Sequence, residues 1–453
     1  MGPEQPRGNG PFTSIRERRA AEELDRLRFT EERKWARRVV LQRIALGSAV
    51  IIAAVALLAY VQVISNRPPV LLTTPTTLSR AGDASSTAAS EPSAPSVTGS
   101  GAIDSTTSAI ASGSLAAQPS SSPPAPPTPV PANQYAGIKA SPSSKAVQLY
   151  GTPRSGLPWH SGFWTGGDID TAHMEAAGTW RGTPMDFATV YPLYGTWAEI
   201  EGSGWAVTNF RGFKGHLAYG LPLLPTNRKG HWEDVNDGSH DAVFRGIAQL
   251  LVSNGQPDAA IRMGVEANGY WFPWAVDTSN LAQFKTAFRH IEAVMKAVAP
   301  RLTFWLDLNC GTVLTGSDDR LAPLTQMYPG DDVVDGISMD HYDAYKLAAN
   351  DELSWQVATA PSYAPGLQDG VEFARAHHKG FALPEWGLHD KQGPGDSPWF
   401  MARMFQFFMD NRDVLVYENY FNEPLPYIAS GLFDASNNPK SAAVYRRLWG
   451  HRP

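Results

Sequence analysis

Between residues 146 and 453 of this 453-residue chain, eight short apolar runs ending in Gly, Pro, Asn or Asp alternate with stretches of helical periodicity. Alternation of that kind builds a parallel sheet, and eight strand-and-helix units in about 300 residues predict an α/β fold, the (β/α)8 or TIM barrel. The runs fall at 161–165, 185–191, 216–222, 260–266, 302–309, 334–342, 381–385 and 414–419, the first being the weakest. Helical patterns fall at 240–253, 281–298, 367–377, 399–410 and 440–448. The stretch 281–298 has the clearest period, with Leu281, Phe284, Phe288, Ile291, Met295 and Val298 on one stripe.

The first 145 residues have no part in such a core. Residues 1–43 are polar and mixed in charge, with arginines frequent from Arg16 to Arg43, and read as a solvated cytoplasmic tail. The chain turns apolar at Ile44 and stays so to Ile64, long enough to cross a hydrocarbon layer of roughly 30 Å. A transmembrane helix is expected over 44–64 rather than a cleaved signal peptide, whose apolar core is only about 7–15 residues. Basic residues crowd its N-terminal flank while only Arg67 follows closely, so the N-terminus is expected inside and the rest of the chain outside the cytoplasmic membrane. Residues 65–145 are rich in Ser, Thr, Pro, Ala and Gly and bury too little apolar surface to offset ordering entropy, so they read as a disordered linker. The barrel is expected over 146–453, as a monomeric catalytic domain.

A net charge of −6 argues against a nucleic-acid partner, and 14 Trp with 11% aromatic content suit a carbohydrate-handling surface. Cys310 is the single cysteine, so no intramolecular disulfide is possible. It offers no zinc spacing, and neither do His160, His216, His240, His341 and His389, so no metal and no cofactor are expected.

Catalytic residues of a (β/α)8 barrel sit at the C-terminal ends of its strands. By that rule Glu266 ends the fourth run and Glu385 the seventh, while Asn309 ends the fifth, Asp340 and Tyr342 the sixth, and Asn419 and Tyr420 the eighth. Glu266 lies in RMGVEANGYWFPW (262–274), where strand alternation puts Arg262, Gly264 and Glu266 on one face. The rings of Tyr270, Trp271, Phe272 and Trp274 follow it, and flat rings suit the apolar faces of sugars. Glu385 lies in FALPEWG (381–387) with Trp386 beside it, the expected floor of a sugar site. Two carboxyls at strand ends, each with an indole nearby, suit glycoside hydrolysis, which needs an acid and a nucleophile or base flanking the bond. A polysaccharide substrate is therefore expected, with Trp271, Phe272, Trp274, Trp386, Asn268, Asn309 and Asp340 as its contacts. The plainer alternatives are surface ion pairs for the glutamates, core packing for Trp271, Phe272 and Trp274, and for Arg262 an internal pairing with Asp186 or Asp340.

Three stretches, VEANGYWFPW (265–274), YPGDDVVDGISMDHYD (328–343) and PEWG (384–387), resemble glycoside hydrolase family 26, retaining barrel enzymes best known as endo-β-1,4-mannanases. The resemblance implies that Glu266 is the acid/base, Glu385 the nucleophile and Tyr342 the hydroxyl that orients the nucleophile, with β-1,4-mannan as substrate. Mannanases of the family usually carry a histidine just before the acid/base, and here that position is Val265. A β-glucan or the cell's own exported polysaccharide therefore stands as the alternative substrate, and a polysaccharide-binding protein with weak turnover as the alternative class.

Overall fold

The computed structural model describes residues 141–166, 170–344, 352–389, 393–434 and 436–450. The apolar run 44–64 and the linker lie outside them; among the described residues no helix is long and apolar enough to cross a membrane. Eight strands, β1 (His160–Trp164), β2 (Phe187–Val190), β3 (His216–Leu221), β4 (Ala260–Met263), β5 (Thr303–Asn309), β6 (Gly336–Asp343), β7 (Gly380–Leu388) and β8 (Leu415–Phe421), close in that order into a parallel barrel. This is the expected (β/α)8 architecture.

Around it lie α1 (Ser144–Tyr150), α2 (Thr171–Arg181), α3 (Trp197–Gly202), α4 (Trp205–Thr208), α5 (Glu233–Asn236), α6 (Asp241–Ser253), α7 (Leu281–Lys296), α8 (Ala322–Thr325), α9 (Glu352–Thr359), α10 (Leu367–Ala376), α11 (Pro398–Asp410) and α12 (Pro439–Trp449). The five helices read from periodicity are α6, α7, α10, α11 and α12. On α7 the predicted stripe is the buried face, with Phe284, Phe288, Ile291 and Met295 all covered. Most of the others carry about two turns or fewer and show no period, while α2 is as long as α12 but buries Met174, Ala177, Gly178 and Arg181, too weakly apolar a face to mark one. Caps fix the ends where the sequence supplies them: Ser397 accepts from Phe400 N at the start of α11, with Pro398 in the first turn.

Residues just before Ala146 also pack on the barrel. Ser143 caps α1, and its hydroxyl reaches Asp413 O. From α1, Tyr150 packs beneath the barrel against His160, Phe187, His216 and Tyr417, and its hydroxyl pairs with Thr303 Oγ1. Above it the Trp305 indole fills the lower barrel. Room for it comes from Gly336, where an added Cβ would stand 2.1 Å from the ring. With aromatic rings packed across the bottom, polar groups can converge only at the upper end.

Candidate active site

The upper layer is built on one buried ion cluster. Arg262 in β4 is fully buried and donates through Nε to Asp307 Oδ2 at 2.8 Å and through Nη2 to Asp307 Oδ1 at 3.1 Å and Asp340 Oδ2 at 2.5 Å. Asp307, in β5, also accepts from Ser338 Oγ at 2.6 Å and from the backbone N–H of Glu266 at 2.9 Å. The expected pairing of Arg262 with Asp340 is present. Asp186 instead accepts from the backbone of Arg154, Ser155 and Ser161.

Glu266 does not reach the site by strand alternation. β4 ends at Met263, Gly264 turns with φ 69°, and Glu266 itself has φ 50°. A side chain at Gly264 would meet Leu223 and Trp274 at 2.9 Å, so the turn requires glycine. A left-handed glutamate costs roughly 1–2 kcal/mol. The Asp307 carboxylate on its N–H holds it there, together with a bond from Gly269 N to Glu266 O at 2.7 Å. The Glu266 carboxyl is 8% exposed, and it accepts from Trp271 Nε1 and from Asn309 Nδ2, both at 2.6 Å. Burial, and then the negative charge of Glu385, push it up to about 8.

Glu385 is aimed inward by a bulge. Ala382 faces the barrel interior, and strict alternation would then turn residue 385 outward. The β6 pairing shifts between Ser338↔Ala382 and Asp340↔Glu385, so three residues of β7 span two of β6. The extra residue falls by Pro384, which has no N–H to give a ladder. The carboxylate accepts from Tyr342 Oη at Oε1 and from Tyr191 Oη at Oε2, with Arg262 Nη1 3.8 Å from Oε2. Burial keeps both phenols protonated, raising them well above the ordinary tyrosine range. Oxygens of Glu266, Asp340 and Glu385 all lie within 4.8 Å of one another. Burial pushes Asp340 well above the usual carboxylate range against the pull of Arg262, and its Oδ1 has no hydrogen-bond partner among the described residues.

Of the expected sugar contacts, Trp271 is half-buried, and its indole is committed to Glu266; Phe272 is half-buried and stacks on Trp274 at 4.8 Å. Three assignments need correcting. Trp274 is 2% exposed and donates to Val265 O, so it is core. Trp386 is fully buried, because the residue after an inward Glu385 points outward. There its indole donates to Glu418 Oε2 at 2.6 Å, beside the indoles of Trp159 and Trp449 on Oε1. Asn268 spends its amide on the loop after β5, bonding Asn309 O, Asn309 N and Thr312 O. Asn309 in turn orients Glu266. Val265, just before the acid/base, is 5% exposed. Asn419 points inward and donates to Thr189 Oγ1 at 2.7 Å, while Tyr420 faces the helices.

Two residues that matter here were not singled out in the sequence. Tyr191 ends the run 185–191, so the same strand-end rule that selects Asn309 selects it. Asp307 stands two residues before a strand end and so faces inward, but nothing local marks it as more than a core carboxylate.

No protein-family model matches the chain. Over 121 residues, 25% of this chain, the sequence is 32% identical to endoglucanase H of Acetivibrio thermocellus, and the match spans 13% of that protein's length. Among solved structures, the fold is similar to the catalytic domain of a GH26 endo-β-1,4-mannanase of Bacillus sp. JAMB-750, with TM-score 0.49 and 16% identity over 68% of this chain and 90% of that one. It is also similar to a modular family 26 endo-β-1,4-mannanase of Cellulomonas fimi, with TM-score 0.45 and 14% identity over 65% of this chain and 70% of that one. Both structures are of glycoside hydrolase family 26, the family that the stretches 265–274, 328–343 and 384–387 resemble.

Proposed function

We propose that this chain is a retaining endo-β-glycosidase acting on a β-1,4-linked polysaccharide, with Glu385 as nucleophile and Glu266 as acid/base. The observation that carries this reading is the unequal treatment of two carboxyls whose oxygens approach within 4.8 Å. Glu266 is buried and pushed up to about 8, so it holds a proton at neutral pH. Glu385 instead accepts a hydroxyl hydrogen bond on each oxygen, with the Arg262 guanidinium 3.8 Å away, so both its oxygens are held in place for attack. Carboxyls about 5–5.5 Å apart suit double displacement, whereas an inverting pair leaves about 6.5–9.5 Å for water. Glu385 attacks the anomeric carbon while the leaving oxygen takes the proton of Glu266. Glu266 then removes a proton from water, which attacks the same carbon and releases Glu385.

For the sugar, the motif resemblance favours β-1,4-mannan. Val265 and the stretch similar to an endoglucanase favour β-glucan as the second reading. A reducing-end assay of the full chain on β-mannan, mixed-linkage β-glucan, β-xylan and the source cell's exported polysaccharide separates them. Release from mannan or glucan is expected, and none from any of the four would sink the hydrolase reading. The run 44–64 fits a membrane anchor with the barrel outside, for which a linker is well suited. A reporter fused at Thr74 should then report from the outer side of the cytoplasmic membrane; a cytoplasmic signal would overturn that topology.

A further inference from the structure

Both oxygens of Glu385 are held by tyrosines, and only Tyr342 is accounted for by the motif that names it. We infer that Tyr191 is a second positioning residue for the nucleophile, bridging Arg262 to Glu385 Oε2, with its ring seated over Gly220. The inference rests on the hydrolase reading and extends it to a residue outside the motif stretches.

The direction of the bridge follows from donor chemistry. Arg262 Nη1 donates to Tyr191 Oη at 2.8 Å, and an arginine has no acceptor to offer in return. The single proton of Tyr191 is thereby left for Glu385 Oε2, where the hydrogen bond is found. Arg262 cannot swing away, since Asp307 and Asp340 hold its other nitrogens. A fixed cation thus acts on the nucleophile through one hydroxyl.

The ring is held as firmly as the hydroxyl. A Cβ added at Gly220 would stand 2.9 Å from both Tyr191 Cδ1 and Val265 Cγ2, so ring and valine share the space that glycine leaves open. Trp164 meets the ring edge-on, with centroids 6.0 Å apart. Val265, the residue before the acid/base, thus borders the same gap as the ring that carries the Tyr191 hydroxyl.

The groups that face Glu385 are Tyr191 beyond β2, Arg262 in β4, Glu266 in the loop after it, Asp307 in β5 behind the guanidinium, Asp340 and Tyr342 in β6, and His389 beyond Tyr342. Of these only Tyr191 and Tyr342 donate to it directly among the hydrogen bonds described. Removing one donor leaves one oxygen of the nucleophile unheld, so attack should slow while the glycan still binds.

The test uses the full chain and whichever glycan the reducing-end assay identifies. In Tyr191→Phe, kcat should fall on the order of 100-fold with KM changed by less than about threefold, and by a like factor on an activated aryl glycoside, whose leaving group needs no proton. Phenylalanine keeps the ring in its seat, and thermal melting checks the fold. Should that variant melt early, Gly220→Ala, whose Cβ would stand 2.9 Å from Tyr191 Cδ1, displaces the ring while keeping the hydroxyl and must lower kcat with KM little changed in the same way. A KM that rises along with the loss of kcat, or a kcat within about threefold of the wild type in a variant that melts normally, would show a structural role only and overturn the inference. An inactive wild type, or activity that survives Glu385→Ala, overturns the hydrolase reading itself, and this inference with it.

Discussion

Glu385→Ala is expected to lower turnover by on the order of 10,000-fold or more, because it removes the carboxylate that forms the glycosyl-enzyme. Folding should survive, since the side chain is 14% exposed and removes no apolar volume. Glu266→Ala should be nearly as damaging on a natural glycan, whose leaving oxygen needs a proton, and it adds a signature in pH. In the wild type, kcat/KM should fall as pH rises through about 8, where Glu266 loses the proton it must donate. That limb should vanish from the residual activity of Glu266→Ala. Near-normal activity in either variant, or a basic limb that survives in Glu266→Ala, would remove the assigned roles.

Arg262→Met should be the most destabilising single substitution in the upper barrel. It leaves Asp307 and Asp340, both 0% exposed, without their shared cation, and breaking a buried pair costs about 3–5 kcal/mol. The damage spreads to function, because Asp307 also pins the strained Glu266 backbone and Arg262 also steers Tyr191. Urea unfolding of the barrel provides the measurement, with Arg289→Met as the control. Arg289 pairs with Asp332 on the surface, where solvent screens the charges, so that midpoint should stay with the wild type. Equal midpoints for Arg262→Met and the wild type would mean that the cluster does not organise the site.

The strand order and the two glutamates were legible because each rests on a local signal, apolar runs with terminal breakers for the strands and strand-end position for the carboxyls. Where the sequence misled, a rule was broken in the backbone. Alternation through 262, 264 and 266 suggests one continuous face, yet Gly264 and Glu266 both adopt positive φ and the strand stops at Met263. The alternation rule, applied to Glu385, already places Trp386 on the outer face, so a sugar floor beside the candidate nucleophile runs against that rule. Its partner Glu418 sits one strand away and 32 residues on, a pairing that only the closed barrel reveals. Asp307 was hidden for the same reason: its four donors come from β4, β6 and the loop after β4. The bulge at Pro384 was half visible, since a proline inside a strand signals an irregular ladder, but its consequence for the aim of Glu385 needed the register.

Double displacement is tested most directly by following the anomeric proton of the first product by NMR, on the glycan that the full chain cleaves. A retaining enzyme acting on a β-linked chain releases the β-anomer first, and the α-anomer grows in only as the sugar mutarotates. That order is the expected result. An α-anomer formed first would mean inversion, and would contradict a nucleophilic Glu385 facing an acidic Glu266 across less than 4.8 Å.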